Sequence, residues 1–590
     1  MKNLKKYIAV FLLVLLLAAC GTDTTATEAA ATDADGADEM QVVEVVSSGR
    51  AEDMRMQVGF EGATIRSVEV ISHNETENIA QVALEQIPAK IVESNSVAVD
   101  TVSGATETSN GIINGVKLAI EEAGFNVSDY ERAVAEEEKS GETVEMETDV
   151  VVVGAGAAGL SAALEAQYAG ADVLLLEKMP MIGGSTMMSG GYILAAESPV
   201  QQEGNVAGTW QDLADYLYET SEEQADKAML DDMAQKSGEN IAWMAEQGVD
   251  FDNEITKLHS SHEFAWGHAP AGKAHTSNGG ADLTQPMADT FEAEGGEILL
   301  TTQATELITE GDKVIGVKAE NQQGDQITVT AKNVILASGG FSGNEDMMAE
   351  YHPYLKQVAY TGNTGNTGDG LRMAMDVGAK TVFHDSAIDL GVNSPTSYGY
   401  GEEFKGLLVL PSGERFMDES LFHFERTRIL MDEDENTVWA ITDQSNERVE
   451  QAVEMGTAFR ADSLEALAEA AGLDAANLQQ TVDAYNSAAH AGTDEEYGKN
   501  AEFLAAVEGP EYYALRYDMS TSGTIGGLLV NPKMQVLNEN DEPIEGLYAA
   551  GEISNGQFMY KEYPGSGTSI MICIYQGRIA GTEAGQAAAE

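Results

Sequence analysis

The spacing of apolar and polar residues divides the chain into three stretches. Within residues 41–125, Ile65–Ile71 reads as a strand, and Asn110–Ala123 reads as a helix that stops at Gly124. This predicts a small α+β domain. Residues 126–147 are acidic and without period, as at Glu136-Glu137-Glu138, and read as a linker. A larger α/β unit follows over 148–590. It opens with Asp149-Val150-Val151-Val152-Val153, the unbroken apolar run of a buried parallel strand. A helical pattern then runs through Tyr168, and a second strand, Asp172–Leu176, ends at Glu177.

The first twenty residues have a different pattern. Lys2, Lys5 and Lys6 precede an apolar run from Tyr7 to Ala19, shorter than the ~20 residues of a membrane span and shaped like a signal peptide. The run ends Leu17-Ala18-Ala19-Cys20-Gly21. It resembles the bacterial lipobox, which implies that residues 1–20 are a lipoprotein signal with Cys20 diacylated. The chain would then be anchored in the cell membrane, facing the extracytoplasmic side. Residues 21–40 read as an acidic tether.

Composition narrows the chemistry. With 32 basic and 98 acidic residues the net charge is -66, which excludes nucleic-acid binding through phosphate neutralisation. A basic patch for anionic headgroups is excluded likewise. The two cysteines, Cys20 and Cys573, cannot make a disulfide framework or hold an iron–sulfur cluster, and no C-x-x-C-H haem site exists. Any electron transfer therefore runs on organic cofactors.

Asp100-Thr101-Val102-Ser103-Gly104-Ala105-Thr106 leads into the Asn110 helix. A glycine-containing loop at a helix start offers N–H groups and a dipole to a phosphate, or simply caps the helix. The segment also resembles the D-x-x-S/T-G-A-T/S motif of the FMN-binding domain of bacterial electron-transfer proteins. The resemblance implies FMN held covalently through a phosphoester on Thr106, with Ser103, Gly104 and Ala105 beside it.

Gly154-Ala155-Gly156-Ala157-Ala158-Gly159 sits between strand and helix, and Glu177 follows 18 residues after its last glycine. That is the context of a dinucleotide cradle. The glycines let a pyrophosphate approach the helix N-terminus, and the acid accepts ribose hydroxyls. Gly183-Gly184-Ser185-Thr186, Ser189-Gly190-Gly191, Val334–Gly340, Thr367-Gly368-Asp369-Gly370 and Gly546–Glu552 follow in order. Over roughly residues 147–586 these motifs resemble the FAD-binding fold of the fumarate reductase and 3-ketosteroid dehydrogenase superfamily.

The resemblance implies non-covalent FAD on Gly154, Gly156, Ala158, Gly159, Glu177, Lys178, Gly183, Gly184, Ser185, Thr186, Gly190, Gly191, Ala304, Gly339, Asp369, Gly551, Glu552, Thr568 and Ser569. The implied fold class is α/β: a Rossmann-type FAD-binding domain over 148–260, 365–395 and 515–590, preceded by the small α+β FMN-binding domain. An inserted α+β capping or substrate domain would occupy about 261–364 and 396–514. No second dinucleotide motif is present, which argues against direct NAD(P)H use.

An FMN domain followed by this FAD unit is the layout of extracytoplasmic urocanate and fumarate reductases. It implies a membrane-associated electron donor, relay through FMN and FAD, and a small unsaturated substrate. In that family reduced FAD gives hydride to the β carbon of an activated C=C. A side chain protonates the α carbon, and donors hold the substrate oxygen. In fumarate reductases an Arg downstream of a G-x-R-F-x-N-E motif is the acid. Here the motif reads Gly413-Glu414-Arg415-Phe416-Met417-Asp418-Glu419, and His423, the eighth residue after Arg415, takes that place. A His donates protons well near neutrality. Arg426 and Arg428 are the nearby alternatives.

The carboxylate-binding Arg of those reductases is replaced by Tyr563, and their H-T-M-G-G stretch by Ser522–Gly527, so neither place offers a bidentate grip on a carboxylate. Tyr563-Pro564-Gly565-Ser566-Gly567 instead resembles the Y-P-G-x-G element of 3-ketosteroid dehydrogenases. That implies Tyr563 and Gly567 polarising a ketone oxygen, and an enone or other α,β-unsaturated acyl compound as substrate. Three functions stay open: reduction of such a bond, ketosteroid-type dehydrogenation in reverse, and a non-catalytic flavin electron-carrier lipoprotein. Tyr398, Tyr400, Tyr512 and Tyr513 suit an aromatic pocket or ordinary core and loop positions. His259, His262, His268 and His275 lack a supporting carboxylate pattern, so no metal is expected.

Overall fold

The computed structural model describes residues 40–589 apart from 50–53, 76, 103, 133–140, 258–265, 274–278, 356–357, 389–390, 394–404, 422 and 434. Cys20 with its leader, Ser103, Tyr398, Tyr400, His259, His262 and His275 lie outside the described residues, as does the side chain of His423.

The N-terminal unit is an antiparallel sheet of Gln41–Ser47, Met54–Glu61 and Thr64–Ser72, packed against helices Glu77–Ser94 and Thr106–Glu122. Strand alternation sends Val43 and Val45 into a core with Ile87, Ile112 and Val116, while Val42 and Glu44 face solvent. Tyr130 closes this core, its hydroxyl donating to the Ala63 carbonyl at 2.9 Å, so the unit extends past residue 125.

The large unit is built on a sheet ordered Thr302–Glu310, Lys313–Asn321, Gln326–Leu336, Thr143–Val153, Val173–Leu176 and Glu297–Leu299, with Pro543–Ala549 joined to Gln326–Leu336. Val150, Val151 and Val152 are fully buried at its parallel centre. Two expectations are corrected. Thr143–Glu147 is strand rather than linker, paired in parallel with Gln326–Thr330. Its alternation of half-buried Val144 and Met146 with exposed Glu145 and Glu147 is the cause. Residues 302–336, assigned above to the cap, hydrogen-bond into the central sheet.

The cap proper is centred on Tyr512–Thr521, which pairs with Ala359–Tyr360, Gly391–Asn393, Thr437–Thr442 and Ala458–Ala461. Leu407, Trp439, Leu467, Leu478 and Tyr485 give part of it a core of its own. Thr381–Ile388 and Gly523–Leu528 pair where the chain enters and leaves this region.

The helices Ala157–Tyr168 and Thr568–Ala589 run side by side in parallel. A Cβ at Gly577 or Gly581 would lie 2.4 Å from the Ala158 carbonyl oxygen or 2.2 Å from that of Ala162, so only glycine allows this approach. With 577 facing 158, the C-terminal helix starts about eight residues ahead of its neighbour, or ~12 Å.

Candidate active site

Both helices open at their N-terminal ends onto one cavity of about 520 Å3, at the carboxyl ends of the parallel strands, where Val153, Leu176 and Ala337 line it. The offset gives the cavity two helix starts, one at Gly156 and one at Gly567. Among the residues expected at FAD, Gly159, Gly183, Gly551 and Thr568 stand behind the wall, and the others line it. Gly159 is a packing position: a Cβ there would sit 1.8 Å from the Gly154 carbonyl oxygen.

The wall fits a flavin dinucleotide. A Cβ on Gly156 would find no protein atom nearer than the Gly183 oxygen at 3.9 Å, so the open space there belongs to a ligand. Ser338 also lines the cavity, and its buried hydroxyl has no partner among the described residues. Glu177 accepts from the N–H groups of Ala155 and Met179, both at 2.8 Å, and burial raises its pKa. Its two oxygens keep lone pairs for ribose hydroxyls. Glu552 accepts from the Thr524 N–H at 2.8 Å and the Asn366 amide at 3.0 Å, and burial raises its pKa too. Lys178 sits 2.7 Å from Asp369 and 2.6 Å from the Thr367 hydroxyl. Burial would raise Asp369, but bonds from Lys178, Thr367 and Gln303 hold it below the usual carboxylate range.

The other end has no basic side chain among the described lining residues. Tyr563, Ser566, Gly567 and Ser569 line it, joined by Tyr192 and Cys573. The Ser569 N–H, in the first turn of the C-terminal helix, donates to the Tyr563 hydroxyl oxygen at 3.3 Å, which strengthens the phenol as a donor. Gly567 takes φ +91, and its N–H has no acceptor among the described residues. Its carbonyl accepts from the Leu194 N–H at 3.3 Å, which brings the neighbouring Tyr192 to this end. Burial and Glu552 push the Cys573 thiol up to about 12, so it stays neutral. Lys178 is the one basic side chain among the described lining residues, and Asp369 already engages it.

The remaining candidates are not among the described lining residues. His423 begins the helix His423–Asp432. Arg426 is 1% exposed, and its Nη1 donates to the Glu419 carbonyl at 3.0 Å. Arg428 is 4.0 Å from Glu222. Arg415 bridges Glu419 and Asp494 at 2.8 Å each, with Lys499 3.4 Å from Glu419, a buried charge cluster inside the cap. Tyr512 and Tyr513 are strand residues, the latter bonded to Glu450 at 3.2 Å. His268 is buried against Ser198 at 2.6 Å. No group of metal-ligating side chains occurs among the described residues.

In the small unit, Thr106 is the exposed first residue of a 17-residue helix whose N-cap, Ala105, offers no side-chain cap. Orphan N–H groups at such an end suit a phosphate, so the site fits FMN.

Sequence reasoning missed Tyr192, Asn363, Asn366, Ser566 and Cys573 on the wall. The asparagines stand just before Thr367-Gly368-Asp369-Gly370, and Cys573 follows Ser569 by one helical turn. Both spacings were available signals.

Residues 149–570 match the FAD binding domain family, and residues 49–121 match the FMN-binding domain family. The chain belongs to the FAD-binding-domain family. It is 30% identical to an NADH:acrylate oxidoreductase of Vibrio harveyi over 91% of this chain and 60% of that protein. The chain thus spans about three-fifths of that relative. It is 27% identical to a urocanate reductase of Eggerthella lenta, covering 91% of each. The structure of a 3-ketosteroid-Δ4-(5α)-dehydrogenase from Rhodococcus jostii RHA1 with 4-androstene-3,17-dione superposes with TM-score 0.61 at 27% identity. That likeness covers 75% of this chain and 97% of the dehydrogenase. The chain thus carries an FAD-binding domain and an FMN-binding domain.

Proposed function

We propose that this enzyme reduces a C=C bond conjugated to an uncharged carbonyl, in an enone or other α,β-unsaturated acyl compound. The supporting observation is the substrate end of the cavity, where Tyr563 and Gly567 both line the wall and no free cation stands among the described lining residues. A carboxylate substrate would lack a counter-charge there. Bound FAD, when reduced, supplies the hydride. Tyr563 and Gly567 hold the carbonyl oxygen and stabilise the charge that develops on it, the Gly567 N–H aided by the helix dipole. His423 delivers the proton to the α carbon. Thr106 would hold FMN, which would supply electron transfer from a membrane-associated donor, and Cys20 would anchor the chain outside the cytoplasm, where a covalent link prevents loss of flavin.

The reverse reaction, ketosteroid-type dehydrogenation, is favoured by one observation, the Tyr563–Gly567 element itself. Anaerobic reoxidation decides between readings. Dithionite-reduced, flavin-loaded protein is mixed with fumarate, urocanate, cinnamate, simple enones and 3-ketosteroids, and products are identified. Rapid reoxidation by enones alone is expected. Reoxidation by fumarate or urocanate would mean that another cation serves the site. Dehydrogenated steroid products from the oxidised enzyme would favour the reverse direction.

A further inference from the structure

We propose that Met179 and Met181 form an internal docking pad that seats the FMN-attachment loop on the rim of the FAD cavity. The inference rests on the reading of Thr106 as the FMN site. In that loop Gly104 takes φ +84. A Cβ there would lie 3.5 Å from Met179 Cε and 3.8 Å from both Cε and Sδ of Met181, ordinary van der Waals distances. Met181 also packs on the hydrophobic core of the small domain, although it belongs to the large one.

Met179 faces two ways. It touches the loop, and it lines the FAD cavity beside Gly365, whose Cβ would lie 3.2 Å from Met179 Cγ and Sδ. Its backbone is fixed on both sides. The N–H donates to Glu177 at 2.8 Å, and the carbonyl accepts from the Thr301 N–H at 3.1 Å. A single side chain thus spans the distance between the loop and the cavity. A chain of net charge -66 cannot rely on charge attraction to hold two acidic domains together. An apolar contact avoids that repulsion, and methionine adapts its shape to an irregular loop. The pad therefore fixes the loop that carries Thr106 against the cavity it would feed. In that relay two electrons leave reduced FMN for oxidised FAD, and the accompanying protons exchange with solvent.

The test uses the full flavin-loaded chain with Met181→Asp and Met181→Leu, since Met181 lies outside the cavity wall. The radius of gyration is measured by small-angle scattering. The fully reduced protein is also pulsed with an enone, and both phases of flavin reoxidation are followed. For M181D an expanded particle is expected, with an unchanged fast phase and a second phase slowed about tenfold as the loop falls back to tethered encounter. M181L should match wild type in both readouts. An unchanged radius in M181D, or expansion with an unslowed second phase, overturns the pad. A Thr106→Ala chain that keeps covalent flavin overturns the FMN reading instead, and scattering still reports on the pad.

Discussion

The hydroxyl of Tyr216 donates to the carbonyl oxygen of Pro564, so a helix of the large unit holds the turn between Tyr563 and Gly567. Burial raises the Tyr216 pKa, which keeps the phenol protonated as a donor. Tyr216→Phe leaves the Pro564 carbonyl without this partner in a buried place, a loss of ~1–3 kcal/mol. The turn loosens, and kcat should fall more than KM rises while the flavin spectrum is kept. Unchanged kcat would remove Tyr216 from the positioning of Tyr563.

Tyr563→Phe tests the oxygen site directly. The ring packing is retained, and the lost groups are the hydroxyl donor and the acceptor of the Ser569 N–H. Steady-state rates with an enone should drop ~100-fold or more, as for removal of one oxyanion donor. Activity within a factor of ~2 of wild type would place the carbonyl elsewhere.

The cap depends on its buried charges. Lys499 is buried and stands 3.4 Å from Glu419, which Arg415 also grips, and burial lowers the Lys499 pKa. Lys499→Met leaves an uncompensated carboxylate and should destabilise the fold by ~3–5 kcal/mol in urea denaturation. A double Lys499→Met, Glu419→Gln variant should recover part of that loss.

Acid should weaken the protein through two histidines. Burial pushes His268 and His352 down to about 4 from 6.5. Between those values the unfolded chain binds more protons, so stability falls as the pH drops below 6.5 toward 4. The buried acids Glu177 and Glu552, whose pKa values are raised, act in the opposite sense. A difference measurement isolates one term. From pH 7 to pH 5 wild type should lose ~2 kcal/mol more than His352→Phe. The replacement ring keeps the contact with Phe341. Parallel pH curves for the two proteins would show that His352 is not held neutral.

What could be read beforehand was local. Gly154–Gly159 and Glu177 declared a dinucleotide cradle because strand, turn and helix are neighbours in sequence. The Tyr563–Gly567 element was equally compact. The sheet boundary was not local. Residues 302–336 alternate like any antiparallel strands, and nothing in their spacing says that Gln326–Leu336 pairs with Thr143–Val153. Tyr192 was hidden for the same reason, since it reaches the site only because Leu194 bonds across to Gly567. Thr143–Glu147 could have been found, because its period of two was masked only by the acidic composition around it.

The pairing of Thr143–Val153 has a consequence for stoichiometry. Arg132 is bound to the small domain by the Ser96 hydroxyl at 2.7 Å, and Glu142 is bound to the central sheet through Asp325 at 3.0 Å. Ten peptide steps separate these two anchors, a leash of ~35 Å at full stretch. A released small domain stays tethered within that radius of Glu142, and its return to its own cavity remains an intramolecular encounter. Each chain is therefore wired to itself. A chain lacking Thr106 mixed with one lacking a working cavity should not complement it, and turnover per molecule should not depend on dilution.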